Sequence, residues 1–393
     1  MKYITRTIWI LSWISLFTDT ASEMLYPVLP IYLKSIGFSI FLIGVLEGIA
    51  EATAGLSKGY FGKLSDNSGR RVPFVRIGYS LSAISKPMMA LFVYPLWIFF
   101  ARTIDRLGKG IRTGARDAIL SDEATPESKG RIFGFHRSMD TFGAVLGPLF
   151  ALIYLLGYPN NYKTLFYIAF IPGVIASLTS FFLKESKPSA QKIKLATPFF
   201  SFLHYWRVSP LLYRKVVIGL LFFALFNSSD VFLLLKAKQS GLGDPMVIGV
   251  YIFYNLVYAL FSYPVGIIAD RIGLKNIFMM GLALFAIVYL GMSFCNNLQI
   301  YIVLFFIYGV YAASTEGISK AWISNITNQN DTATAIGTYT GFQSICTLLA
   351  SSLTGLIWFK YGATVAFLTT FTLTILVIIY FLIAIQNPKS IQS

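Results

Sequence analysis

The sequence predicts an all-α membrane protein, with twelve transmembrane helices in two pseudo-symmetric six-helix bundles and both termini on the cytoplasmic side. Three observations predict it. Hydrophobic residues make up 56% of the 393-residue chain and charged residues 12%, whereas soluble domains average about 25% charged. Apolar windows long enough to cross a bilayer recur along the chain, broken at turn and charge clusters. They fall at about 7–33, 41–62, 73–94, 97–120, 131–157, 164–183, 214–236, 246–268, 275–294, 299–322, 333–359 and 363–385. Finally, short stretches of the first half return in order in the second: Ile43-Gly44-Val45 as Ile248-Gly249-Val250, Gly62 through Asp66 as Gly266 through Asp270, and Gly110-Ile111 as Gly317-Ile318. A duplicated unit of six helices places both halves in the same orientation, with a solute site at midplane between them.

Alternate loops differ in charge, which sets the orientation. One series carries Lys63, Arg70, Arg71, Lys129, Arg131, Lys184, Lys187, Lys192, Lys194, Arg207, Arg271 and Lys275, and the other little beyond Lys34, Lys163, Lys236, Lys238 and Lys360. The first series is cytoplasmic by the positive-inside rule, and the chain is expected in a cytoplasmic membrane. The same rule absorbs the formal net charge of +15: no soluble basic face exists to bind nucleic acid. Cys295 and Cys346 both sit in apolar windows and read as packing residues, so neither a disulfide framework nor a metal site is expected.

Taken in order, the first window follows Lys2 and Arg6 like a secretory signal but lacks a small-residue cleavage site, and so reads as a retained helix through Leu33. It holds Asp19 and Glu23 one turn apart, with Pro27 and Pro30 after them. Either acid can carry a proton, because desolvation moves a carboxyl toward the working range, or both stay paired with Arg106 or Lys109. Glu47, Glu51 and Lys58 share a face of the second window as internal counter-ions or ligands. The fourth window is the most polar: Arg102, Asp105, Arg106, Lys109, Arg112, Arg116 and Asp117 lie on one helix-length segment. An ionised group at the bilayer centre costs roughly 2.5–3.5 kcal/mol on insertion scales. These groups must therefore face a wet cavity and one another. Asp105, Lys109, Arg112 and Arg116 fall along one face, with Arg102 and Arg106 on an adjacent stripe. We expect Arg112 and Arg116, nearer the cytoplasm, to be structural pairs.

In the fifth window His136, Asp140, Gly143 and Gly147 share a face, and His136 is expected to be a salt-bridged structural group, with Arg137 beside it in the charge network. Small residues there allow helices to touch, and Pro148 loosens the ladder. The long connection Lys184 to Tyr213 turns from basic to aromatic, which predicts a short interfacial helix and divides the chain into bundles 1–183 and 214–393 joined by linker 184–213. Buried charge thins in the second half to Asp230, Glu316 and Lys320, with Asn255, Gln343, Trp322 and Tyr339 able to add hydrogen bonds or stacking.

Three motifs carry a family resemblance that spans essentially the whole chain. Gly62-Lys63-Leu64-Ser65-Asp66-Asn67-Ser68-Gly69-Arg70-Arg71 resembles the G-x-L-x-D-x-x-G-R-R loop motif of the major facilitator superfamily, and Gly266, Asp270, Arg271, Gly273 and Lys275 form a weaker copy. Arg106-Leu107-Gly108-Lys109-Gly110 resembles the family's R-x-x-Q-G motif, with Lys109 in place of glutamine. Gly143 to Pro148 resembles the G-x-x-x-G-P motif of its drug:proton antiporter branch, and blocks such as SEMLYPVLP resemble a prokaryotic subgroup of undefined solutes.

The resemblance implies alternating access, with the first, fourth, seventh and tenth helices lining the cavity and the loop motif, Arg70 and Arg71 in the headgroups, acting as a conformational latch. It implies a secondary active transporter that exports small organic molecules in exchange for protons. Uptake of an anionic solute or siderophore-like metal chelate is the alternative, and a non-transporting membrane sensor a remote third. Proton coupling is expected of Asp19, Glu23, Asp105, Asp230 or Glu316, and solute contact of Arg106, Lys109, Lys320, Asn255 or Gln343. No enzyme motif is present: there is no H-E-x-x-H, G-x-S-x-G, P-loop or G-x-G-x-x-G. The expected partners are a small-molecule substrate and the lipid bilayer, with the chain acting as a monomer and the proton gradient, not a cofactor, as its energy source.

Overall fold

A computed structural model describes residues 3–26, 28–159, 161–185, 198–242, 244–295 and 297–385. The chain begins with α1 (Arg6–Leu25), whose first turn is capped by Thr5 Oγ1 accepting from the Ile8 amide at 3.3 Å, and α2 (Leu29–Ser35). There follow α3 (Ile40–Ser68), α4 (Val72–Leu91), α5 (Pro95–Asp122), α6 (Lys129–Gly157) and α7 (Tyr162–Ser180). The linker contributes α8 (Phe202–Val208). The second half contains α9 (Leu211–Ala224), α10 (Val231–Gln239), α11 (Asp244–Ile272), α12 (Leu274–Phe294), α13 (Leu298–Asn325) and α14 (Thr332–Ala384). Among the described residues no strand occurs.

Each apolar window falls on a helix or a helix pair, and three boundaries differ from expectation. The first window is not one helix: it breaks between α1 and α2, where Pro30 sits in the first turn of α2 and its missing amide costs nothing. Pro27 lies outside the described residues. The seventh window breaks at residues 225–230, where the Asn227 and Ser228 side chains hydrogen-bond to α13 and α12 and the Ser229 amide donates to Ser351 Oγ of α14. The last two windows run together in α14, interrupted only at Gly362, whose φ of 86° a residue with a Cβ rarely adopts. The predicted linker helix exists as α8 and packs Phe202 against α3. A Cβ at Gly59 would stand 2.6 Å from that ring.

Among the described residues, six segments, Pro126–Gly157, Tyr162–Ser180, Gly249–Ile272, Leu274–Phe294, Leu298–Asn325 and Gln329–Ala384, are long and apolar enough to cross a membrane by length and composition. The fourth window, now α5, is excluded by its own charges. These turn inward, while Leu96, Leu156, Phe359 and Ile383 point out at 71–89% exposure. Oily surface and ionic interior are the arrangement a lipid solvent selects.

Helix α1 packs on α6 and α7, α4 on α5 and α7, and α3 on α5. After the linker, α9 packs on α14, α11 on α13, and α12 on α13 and α14. The two sets meet along two seams, α6 with α11 and α3 with α14. Small residues let the backbones close in: a Cβ at Gly62 would lie 2.4 Å from the Ala333 carbonyl oxygen, and one at Gly134 2.4 Å from that of Ser262. Gly143 and Gly147 serve the same purpose within the first half, against Leu16 and Met24 of α1, with buried Pro148 completing that stretch.

Candidate functional site

Between the seams lies a cavity of about 460 Å³. Its lining draws on α1, α3, α4, α5 and α6 from one side, and on residues 227–230, α11, α13 and α14 from the other. All six predicted basic and acidic positions of α5 from Arg102 to Arg116 reach it, so the face and its adjacent stripe form one wall. Among the described residues, nine basic and six acidic side chains line the hollow, a surplus of positive charge.

The buried end of that wall is neutralised within the first half. Asp105 Oδ1 accepts from Lys86 Nζ at 2.8 Å and from Ser85, and Oδ2 pairs with Arg102 at 3.3 Å. Lys86 is 2% exposed and Asp105 5%. So enclosed a triad fixes α4 against α5, and it makes Asp105 a counter-ion rather than a free acid. Arg106 pairs with Glu51 at 3.0 Å. The side chain of Glu47 lies outside the described ones.

Farther along α5, Arg116 binds Asp117 at 2.8 Å, and Asp117 binds Lys320 of α13 at 2.8 Å. Arg116 is thus a structural pair as expected, and Lys320 lines the cavity while tied to a carboxylate. Arg112 departs from expectation: it finds no carboxylate, donating to Ser82 Oγ at 2.7 Å and stacking on the Tyr79 ring at 4.5 Å. Its Nε is buried without a partner. Lys58 donates to Ser344 Oγ at 3.1 Å across the α3–α14 seam, and Lys109 forms no ion pair with any described residue.

On α6, Asp140 accepts from Arg137 at 2.7 Å and from Ser15 of α1, and Arg137 bonds Tyr258 of α11 and lies 4.0 Å from Glu316. His136 is not salt-bridged to any described residue: it is 4% exposed and its Nε2 has no hydrogen-bond partner among them. With Arg116 and Arg137 nearby, the acids around it are already taken.

The α1 carboxylates are the least engaged. Asp19 and Glu23 both line the cavity, and neither is paired with Arg106 or Lys109. Glu23 accepts from the Tyr251 hydroxyl at 3.3 Å, and Asp19 makes no hydrogen bond or ion pair with a described residue. Opposite, Asp230 accepts the Tyr254 and Ser229 hydroxyls. Asn255 and Gln343 also line the hollow, but the Asn255 amide is occupied by the Tyr251 carbonyl at 3.0 Å. Trp322 is core, stacked with Phe278 and Phe381, and Tyr339 borders a smaller hollow beside Glu316 and Gln343.

The cavity stops short of the loop-motif end, where none of its lining passes Lys58 on α3 or Thr340 on α14. There Asp66 accepts the Thr334 amide and hydroxyl at the start of α14, each at 2.7 Å. Its counterpart in the weaker motif copy, Asp270, accepts the Gly130 amide at 2.7 Å and the Arg131 amide at 3.1 Å at the start of α6. Each acid caps a helix of the other half, where the helix dipole favours negative charge. Gly69 ends α3 at φ 63°, and Arg70 is exposed. Arg71, expected among the headgroups, instead joins the seal through Asp66, the exposed Asp122 and the Gln329 carbonyl, and supplies the cation that the buried Asp66 carboxylate demands.

A helical carrier with a charged central cavity and symmetric end seals is the class this arrangement defines. The model of the Major Facilitator Superfamily matches residues 11–254 and 237–392, and the chain belongs to that family. It is 30% identical over 381 residues to an uncharacterised MFS-type transporter of Methanocaldococcus jannaschii, covering 94% of each chain. Multidrug resistance protein MdtG of Klebsiella pneumoniae is 23% identical over 402 residues, 96% of this chain and 93% of that one. The staphyloferrin B transporter of Staphylococcus aureus is 30% identical over 192 residues, 46% of each. Among solved structures, the human organic anion transporter MFSD10 superposes with a TM-score of 0.76 at 18% identity, covering 95% of this chain and 98% of that one, a likeness of fold. The protein is thus an integral membrane transporter of this superfamily, resembling its drug:proton antiporters.

Proposed function

We propose that the protein is a proton-coupled secondary transporter that exports small organic anions by alternating access. The observation that carries the anion is the set Lys58, Lys109 and Arg112, three cavity-facing cations without a carboxylate partner among the described residues. Proton coupling is assigned to Asp19 or Glu23, which face the same hollow without a cation bound to them. In this reading two six-helix bundles, 1–183 and 214–393, rock about linker 184–213. Twelve spans place both termini and the seal in the cytoplasm of a prokaryote, and the monomer is the working unit. Support comes from the matching Asp66 and Asp270 seals and from the basic loops gathered at that end.

Uptake of an anionic metal chelate is a second reading, favoured by the likeness of half the chain to the staphyloferrin B transporter. The two separate on direction. Purified protein in liposomes is given a panel of radiolabelled mono-, di- and tricarboxylates under an imposed pH gradient. Movement of an anion against the proton flow supports export. Movement with it supports uptake, and no gradient-dependent flux of any anion removes both.

A further inference from the structure

Leaving aside Asp19 and Glu23, to which proton coupling is assigned, the two walls of the cavity carry unanswered charge of opposite sign. On the first-half wall, Lys109 and Arg112 have no carboxylate partner among the described residues, and the Arg112 Nε is buried with no hydrogen-bond partner among them. On the second-half wall, Asp230 has no cation within 4.0 Å among the described residues, and Glu316 has only Arg137 at that limit. Around Asp230 stand tyrosine rings in contact: Tyr251 with Tyr254 at 5.4 Å, Tyr254 with Tyr308 at 5.3 Å, and Tyr308 with Tyr311 at 5.2 Å. Hydroxyls satisfy the carboxylate, but they do not neutralise it. Aromatic faces beside an acid attract an organic ammonium, the more so when it is desolvated. A cation and an anion left unpaired on facing walls of one low-dielectric hollow each carry a desolvation cost that a single bipolar ligand removes.

We infer that the solute is zwitterionic: its acid group sits at Lys109 and Arg112, and its amine sits at Asp230 and Glu316 among the tyrosines. This rests on the reading of the cavity as an organic-anion site and narrows it, since a simple carboxylate would leave the second wall unanswered. A bipolar occupant also gives the carrier a reason to close, because it links the two halves through one rigid molecule.

The test compares matched compounds on the intact protein in detergent: phenylalanine, 3-phenylpropanoate and phenethylamine, and, with more widely spaced charges, 5-aminopentanoate, pentanoate and pentylamine. Binding is read by thermal shift titration. In at least one series the amino acid binds about tenfold tighter than its acid and its amine, and Asp230→Asn brings that ratio near unity. Glu316→Gln does the same by a smaller factor, and gel filtration of both variants confirms a monodisperse fold. If an acid binds as tightly as its amino acid in both series, or the advantage survives the double variant, the zwitterion proposal is wrong and the organic-anion reading stands. If neither acids nor amino acids bind, both readings are wrong.

Discussion

Asp66 and Thr334 hold the two halves together through two hydrogen bonds of 2.7 Å, one to the amide and one to the hydroxyl. Because the acceptor is a carboxylate and the donor lies in the first turn of α14, the contact is charge-assisted and aligned with the helix dipole. Hydrogen bonds to charged groups contribute about 1.5–3 kcal/mol each. Asp66→Asn is therefore expected to move the balance by at least about tenfold toward the form open at this end. Distances between spin labels at Asn67 and Asn330 read the shift; an unchanged distribution would remove Asp66 from the seal.

The backbone contact beside it makes a second, independent prediction. Gly62→Ala places a Cβ 2.4 Å from the Ala333 carbonyl oxygen, a backbone atom that cannot swing aside. It should wedge α3 from α14 and open the same end. Gly355→Ala, whose Cβ would meet only Phe232 at 3.5 Å, is the control and should leave the label distances as they are.

The triad inside the first half responds asymmetrically. Removing Asp105 leaves Lys86 buried without its counter-ion at 2.8 Å, a change of the kind that costs 3–5 kcal/mol. Removing Lys86 leaves Asp105 still paired with Arg102 at 3.3 Å. Asp105→Asn should thus lower the thermal unfolding midpoint in detergent clearly more than Lys86→Met. Equal losses would mean the acid is not the hub.

How much of this was readable from residues alone depends on distance along the chain. The loop motif and the close packing of α6 were legible because their signals are local: Gly62, Asp66 and Gly69 stand within one short motif, and Gly143 and Gly147 within one face. The charged wall of α5 was legible for the same reason, since helical spacing fixes its face. Lys86 was not, because a single lysine in an apolar window looks like one that snorkels to the headgroups, and its partner Asp105 lies on another helix. Asp117 with Lys320 and Arg137 with Tyr258 join different halves, beyond any spacing rule. The break at 225–230 was hidden because a span-length window averages Asn227 to Asp230 with the apolar residues on both sides.

The open cations predict how solute binding fails. Lys109→Ala should raise KM for an anionic solute about tenfold or more, in line with the loss of a charge-assisted contact, while the folded yield holds because no ion pair is broken. Glu51→Gln should act differently, since it breaks the 3.0 Å ion pair with Arg106 and takes one negative charge away from beside the wall. Initial rates in proteoliposomes over a range of solute concentrations separate the two.

Coupling puts the α1 acids to their own test. Asp19 and Glu23 lie one turn apart on the cavity side of α1, and Gly143 and Gly147 of α6 hold the backbone behind them so closely that a Cβ at Gly143 would stand 3.0 Å from the Asp19 Cβ. An acid in that position can exchange its proton only through the cavity, so its charge state is set by whichever side the cavity faces. Asn or Gln keeps the shape and removes the exchangeable charge. Asp19→Asn or Glu23→Gln should therefore abolish transport driven by a pH gradient while solute exchange between equal concentrations, which needs no net proton movement, continues in folded protein. If the double variant still accumulates solute against its gradient when only a pH difference is applied, the proton travels by another route and Asp230 becomes the next acid to replace.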